Sequence, residues 1–276
     1  MFVNLLKMKR KTLEKYLDFA LTSVRKSEKI SLKYYNKKIK HRLKYNQTPV
    51  TVADIKTEDY LINRIRQKFP SHSILSEERG YDDTGSEFKW IIDPIDGTKN
   101  YLRKYPFWGT LLALEWEGEI VLGIISMPAI KQLIYSVKSS GCYMNGKKVK
   151  VSGISNISNS YLMYGCMNYM IRQPYINNFL SLTEKCSHSR GFGDCYGHAL
   201  VITGKADIMI DPLVAPHDIA AVKICIEEAG GILTDFNGNN SIYNGNAVVT
   251  NGYLHKEVLK ILSSGFESRD VMMLEK

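Results

Sequence analysis

The 276-residue chain is 44% hydrophobic and 24% charged, with a formal net charge of +9. That composition argues against disorder, and no apolar run reaches the length of a membrane span. The charge invites a nucleic-acid reading, but residues 1–48 hold 14 Lys/Arg against 3 Asp/Glu, while the remainder holds 23 against 25. Basicity is therefore an N-terminal property. A solvated helix face and a basic loop account for it more simply than RNA binding, and Tyr34 and Tyr35 without a recognised RNA-binding motif add little.

The opening MFVNLLKMKRKTLEKY places a short apolar piece before its charges and offers no small-residue cleavage site, unlike a secretory signal. Five cysteines without a CxxC spacing point to reduced thiols and a cytoplasmic setting. Leu13, Leu17, Ala20, Leu21 and Val24 recur at helical spacing and predict a long amphipathic helix over 11–35. Residues 48–54 break that pattern and read as extended. Asp54 is expected to cap a second helix running to about Phe69, which Pro70 and Ser71 end. Residues 73–76 read as a short strand running into Glu77-Glu78.

An apolar run, Trp90-Ile91-Ile92, predicts a buried strand that stops at Asp93, because Pro94 has no backbone donor and a fixed φ. Strands at 108–115, 119–127, 132–138 and 147–152 are separated by turn signals, the pattern of an antiparallel meander. From about residue 155 strands alternate with helices. Asp218 opens a helix through about Ala229, stopped by Gly230-Gly231. Strands follow at 232–234 and 247–250, then a last helix at 254–263. The expected architecture is α/β (α+β layered), with helices packed around two sheets and a seam near 150–158. The halves are an N-terminal α+β part to about 154 and a C-terminal α/β part of about 155–265, followed by a flexible tail over 266–276.

Asp93-Pro94-Ile95-Asp96-Gly97-Thr98 carries the chemistry. A strand end with two acids, a glycine and a hydroxyl can hold a hard cation and an anion together, which points to metal-assisted chemistry on a phosphate. Glu77 and Asp218 also fall where a strand ends or a helix begins, the places where α/β proteins assemble sites. Taken singly, each acid could be only a turn former or a helix cap; the combination is what singles them out. Cys195 has an acid, Asp194, beside it and no evident basic partner, which disfavours a nucleophilic thiol.

The stretch at residues 90–98 resembles the first motif of the inositol monophosphatase family, a group of Mg²⁺-dependent, lithium-sensitive phosphomonoesterases. His217-Asp218-Ile219-Ala220-Ala221 followed by Glu228-Ala229-Gly230-Gly231 resembles its second motif, with His217 where that motif usually has Trp. Thr48–Asp54, Leu75–Glu78 and Gly141–Gly146 resemble three further family stretches, in order. The resemblance implies a single domain over residues 1–276 built as an α-β-α-β-α sandwich like that of the sugar phosphatases, a homodimer, and two to three Mg²⁺ ions per site. Glu77, Asp93 and the Ile95 carbonyl would bind one ion; Asp93, Asp96 and Asp218 a second; and a third would lean on Glu77 through water. Thr98, hydrogen-bonded to Asp54, would orient and help deprotonate the attacking water, and the Gly97 and Thr98 amides would hold the phosphate.

The substrate is expected to be a small-molecule phosphate monoester. Tyr105–Leu114 and Arg190–Gly197 resemble the subgroup acting on L-histidinol phosphate. The cationic amine of that ester could pair with Asp194, whereas inositol offers only hydroxyls. Asp211, seven residues before Asp218, matches an acidic position that contacts the organic part of the substrate in inositol-phosphate members. Arg190 and His217 are further candidates for substrate contact, although His217 could simply fill the space of the usual Trp. The runner-up substrate is inositol 1-phosphate. Fructose 1,6-bisphosphate and the family's nucleotide phosphates are more distant options. A different class, a nucleic-acid binder using residues 1–48, is disfavoured by the intact set Glu77, Asp93, Asp96, Thr98 and Asp218.

Overall fold

The apolar periodicities are realised as layers in the computed structural model, which describes residues 10–37, 41–44 and 49–263. Helices α1 (Arg10–Tyr35) and α2 (Val52–Lys68) flank a small ribbon of β1 (His41–Leu43) and β2 (Pro49–Thr51). The first sheet contains β3 (Ser73–Ser76), β4 (Gly80–Asp82), β5 (Phe88–Asp96), β6 (Gly109–Trp116), β7 (Glu119–Met127), β8 (Gln132–Val137), β9 (Cys142–Met144) and β10 (Lys147–Val149), with α3 (Thr98–Arg103) between β5 and β6. The second contains β11 (Tyr161–Tyr164), β12 (His188–Arg190), β13 (Ile208–Asp211), β14 (Ile232–Thr234) and β15 (Ala247–Thr250). Its helices are α4 (Met167–Met170), α5 (Ile176–Lys185), α6 (Asp194–Ile202), α7 (Pro216–Glu228) and α8 (His255–Ser263).

Strand order is β10-β9-β8-β7-β6-β5-β3-β4 in one sheet and β12-β11-β13-β15-β14 in the other. The meander from β5 to β10 is antiparallel throughout, while β3 runs parallel to β5. Alternation along β5 sets the layering. Trp90 and Ile92 pack with α1 and α2 residues such as Leu13, Val24, Leu61 and Ile65, whereas Ile91 faces the opposite way, among residues of α6 and α7 such as Ala199, Ala220 and Ile224. A third cluster joins Phe179 and Leu182 of α5 and Val258 and Leu262 of α8 to Ile208, Ile210 and Val248 of the second sheet. The result is the expected α-β-α-β-α stack, with α6 and α7 as the middle layer.

Four boundaries differ from expectation. Strand β5 does not stop at Asp93 but runs through Pro94 and Ile95 to Asp96, because a slip in its pairing with β6 accommodates the proline. Thr51, not Asp54, is the N-cap of α2: its Oγ1 accepts from the N–H groups of Ala53 (3.0 Å) and Asp54 (3.4 Å), placing Asp54 at the third helical position of a capping box. Helix α7 likewise begins two residues before Asp218, at Pro216, because a proline's fixed φ suits a first helical position. The strand expected over 147–152 is only Lys147–Val149, the second arm of a hairpin with Cys142–Met144. Its turn residues Asn145 and Gly146 have φ of 50° and 82°, the left-handed pair that a two-residue hairpin turn requires.

The tail over 266–276 and most of the basic loop lie outside the described residues. Tyr35 is not displayed as a stacking platform, since its ring packs on Tyr101 and Trp108 and its hydroxyl donates to the Lys104 carbonyl at 2.7 Å. The five cysteines are free thiols. No helix among the described residues is long and apolar enough to cross a membrane.

Candidate active site

Register brings the first acids together. In the parallel pair of β3 and β5, Ser76 lies opposite Ile92, and the next residue, Glu77, donates its N–H to the Ile92 carbonyl at 3.2 Å. Glu77 and Asp93 therefore leave adjacent strands at the same level. Asp93 and Asp96 are three apart and would point to opposite faces of a regular strand. They do not, because the pairing of β5 with β6 slips between them: Asp93 faces Leu111 and Asp96 faces Gly109, so Pro94 and Ile95 together oppose Thr110. This is a β-bulge, and the Thr110 hydroxyl holds it by donating to the Pro94 carbonyl at 2.8 Å.

Helix α7 brings Asp218 from the other side, its Oδ2 accepting from the Ala215 N–H at 2.6 Å. Two groups of ligand atoms result, Asp93-Asp96-Asp218 and Glu77-Asp93-His217, each with its atoms within 4.8 Å of one another and with Asp93 common to both. Asp93 and Asp96 are 1% and 8% exposed. Burial first, and then the charge of nearby acids (Glu77 and Asp96 on Asp93, Asp194 and Asp218 on Asp96), pushes both well above the ordinary carboxylate range, and burial raises Asp218 as well. Asp93 Oδ1 is buried without a hydrogen-bond partner. Convergent, desolvated carboxylates with an unpaired oxygen fit a hard divalent cation, which would relieve their mutual repulsion and satisfy the orphaned atom.

Thr98 begins α3, directly after Gly97, whose φ is 80°. A side chain at Gly97 would meet Asp194 Oδ2 at 3.1 Å and the Phe107 carbonyl at 3.2 Å, so both the turn and its surroundings require glycine. Thr98 Oγ1 lies 3.0 Å from the Ile95 carbonyl and 3.4 Å from Asp54 Oδ1. The other oxygen of Asp54 accepts from both the N–H (2.8 Å) and hydroxyl (2.6 Å) of Thr51, leaving Oδ1 directed at Thr98. Burial pushes Asp54 up to about 6.

Asp194 adjoins the turn, accepting from Asn100 Nδ2 at 2.9 Å, and burial raises it to about 6. The N–H of Cys195 donates to Asp96, tying the start of α6 to the cluster. The Cys195 thiol is buried, and burial followed by the charge of Asp96 pushes it well above its ordinary value, which removes it as a nucleophile. Asp211, at the end of β13, is buried 3.9 Å from His198 Nε2, and burial, with Asp194 and Asp218 adding, raises it strongly. Among the described residues, no hydrogen bond or ion pair ties Arg190 to the acidic cluster. Arg190 is exposed on the edge strand β12 and donates to the carbonyl of Ser189.

Two contributors escape sequence reading. The Lys44 ammonium lies 2.8 Å from Glu77 and 2.6 Å from Glu78, and Asn100 steadies Asp194. Nothing local to either residue marks it out; only the tertiary fold brings it to an acid.

A profile of the inositol monophosphatase family matches residues 12–265. The chain belongs to the inositol monophosphatase family. Its members are Mg²⁺-dependent phosphatases, in keeping with the carboxylate cluster. The chain is 35% identical over 255 residues to a histidinol-phosphatase of Chlorobaculum parvum, covering 92% of this chain and 98% of that one. It is 34% identical over 223 residues to a histidinol-phosphatase of Mycobacterium tuberculosis, covering 79% and 86%. The solved inositol monophosphatase of Anabaena superposes with a TM-score of 0.81 at 30% identity, over 91% of this chain and 96% of that one.

Proposed function

We propose that this inositol monophosphatase family member hydrolyses L-histidinol phosphate to L-histidinol and phosphate. The observation that carries the choice is Asp194, a carboxylate set against the Gly97 turn and outside both ligand groups. The cations would be matched by Glu77, Asp93, Asp96 and Asp218, so Asp194 is an additional negative charge in reach of the phosphate turn. A substrate carrying an ammonium group answers it through a charge-assisted hydrogen bond. The two histidinol-phosphatases at 35% and 34% identity support the same reading.

Glu77, Asp93 and the Ile95 carbonyl would hold one Mg²⁺, and Asp93, Asp96 and Asp218 another. Bound Mg²⁺ supplies positive charge that acidifies water and offsets the charge of phosphate and leaving oxygen. The single Thr98 proton can go to either the Ile95 carbonyl or Asp54 Oδ1, and given to Asp54 it leaves the Ile95 carbonyl to the ion. Thr98 Oγ1 holds the attacking water, and Asp54, ionised above about pH 6, draws its proton through the Thr98 hydroxyl. The water oxygen bonds to phosphorus as the ester P–O bond breaks, and a proton returns to the alcohol. The N–H groups of Gly97 and Thr98, at the start of α3, hold phosphate oxygens, and Asp194 fixes the amine.

A second reading, inositol 1-phosphate, is favoured by Asp211, which could accept a substrate hydroxyl from the end of β13. Phosphate release from a panel of monoesters, with Mg²⁺ and with chelator, separates the two. Histidinol phosphate should have the highest kcat/KM, and a higher value for inositol 1-phosphate would overturn the first choice. Release that persists in chelator would overturn the metal assignment.

A further inference from the structure

The two ligand groups differ in chemistry. Asp93, Asp96 and Asp218 offer only oxygen, whereas Glu77 and Asp93 are joined by the imidazole of His217. Position two of α7 places this ring over the cluster. Its Nε2 lies 3.6 Å from Asp218 Oδ1, and its side chain is only 17% exposed. One ion with bonds of roughly 2.1 Å spans ligand atoms up to about 4.2 Å apart, so three atoms within 4.8 Å close on it with a shift of a few tenths of an ångström. The unpaired buried Oδ1 of Asp93 is an independent mark that the pocket is built for a cation.

We propose that His217 is a protein ligand of the cation held by Glu77 and Asp93, and that its imidazole gives this Mg²⁺-accepting site added affinity for a first-row transition dication of the Mn²⁺ or Zn²⁺ class. Imidazole nitrogen suits these ions, while Mg²⁺ favours oxygen and gives up its waters reluctantly. The oxygen-only group beside it lacks that addition, so the centre is asymmetric, with Asp93 shared between unlike neighbours. The proposal rests on the reading of Glu77 and Asp93 as metal ligands.

The test uses the full chain, stripped of metal and given one equivalent of Mn²⁺. Pulsed electron paramagnetic resonance should show the ¹⁴N coupling of a directly bound imidazole, and His217→Gln should lose it. Mn²⁺ affinity by calorimetry should fall about tenfold or more in that variant, with Mg²⁺ affinity changed less than about twofold. His217→Trp serves as a second variant, with circular dichroism to confirm folding, and should behave like His217→Gln. Absence of ¹⁴N coupling in the unaltered protein, or coupling retained in both variants, overturns the proposal. The phosphatase reading is tested separately in the same samples. Mg²⁺-supported phosphate release with no nitrogen signal defeats only the His217 assignment. Nitrogen coupling without release from any monoester defeats only the phosphatase reading.

Discussion

Glu77, Asp93 and Asp96 issue from the ends of two hydrogen-bonded strands of the first sheet, whereas Asp194, Asp211, His217 and Asp218 come from two helix starts and a strand end of the C-terminal half. The first set is positioned by backbone: the register of β3 with β5, a bulge in β5, and a threonine hydroxyl on the bulge. In the second set, Asp194 leans on the Asn100 amide and Asp211 lies near the His198 ring. A ladder of backbone hydrogen bonds leaves little freedom to the groups it aims. Contacts made by side chains can be exchanged one at a time. The arrangement suits a fixed reaction centre at the strand ends, which Asp218 of α7 completes through its own backbone hydrogen bond to Ala215, and an adjustable choice of substrate at Asp194 and Asp211.

The sharpest way to break this contrast is Asp93→Asn. Removing the shared charge should reduce phosphate release by about a thousandfold or more, with circular dichroism unchanged. Near-normal turnover would remove Asp93 from the metal centre. Thr98→Ala should lower kcat by about a hundredfold with a smaller change in KM, because the hydroxyl positions the nucleophile. A change confined to KM would make Thr98 a binding residue only. On the adjustable side, Asp194→Asn should reduce kcat/KM for histidinol phosphate by about tenfold, the scale of one lost charge pairing, and that for inositol 1-phosphate by less than about twofold. Equal losses would take Asp194 out of substrate selection.

The smallest expected effect lies in stability. Asp54 and Asp194 both sit near 6, against an ordinary 3.8. A carboxyl whose folded value is raised binds more protons folded than unfolded between those limits, so it favours folding at low pH. That contribution falls as pH rises from about 4 to about 6 and is level above. Bound Mg²⁺ favours the ionised forms, so the gain in melting temperature on adding Mg²⁺ should grow by a few degrees across that interval. A gain that stays constant from pH 4 to 7 would show that these carboxyls do not carry the strain of buried charge.

The reaction was readable because Asp93-Pro94-Ile95-Asp96-Gly97-Thr98 is contiguous, and a proline between two acids at the end of an apolar run announces its own irregularity. The layers were readable for a similar reason, since the alternation of Trp90, Ile91 and Ile92 separates the two faces of β5. Helix starts were less legible. Asp54 and Asp218 each look like a capping residue, and only the three-dimensional hydrogen bonds show both at the third position, reaching back to the residue that begins the helix. Arg190 fell beside the substrate residues in sequence but lies on an exposed edge, because the loop from Gly191 to Gly193 carries the chain inward only after it. From its sequence position His217 reads as a substrate contact or a filler of space. Its nearness to Glu77 and Asp93 depends on how α7 meets β3 and β5, which no local pattern encodes.

The capping box of α2 has a consequence for anyone seeking a hardier variant. One carboxylate both braces the N-cap of a 17-residue helix and faces the hydroxyl that handles the nucleophile, so folding and turnover draw on the same side chain. Thermal selection acting on Thr51 or Asp54 would screen the helix while silently retuning the proton path. A laboratory lineage selected for robustness alone should therefore leave these two positions untouched or drift toward a sturdy but idle protein.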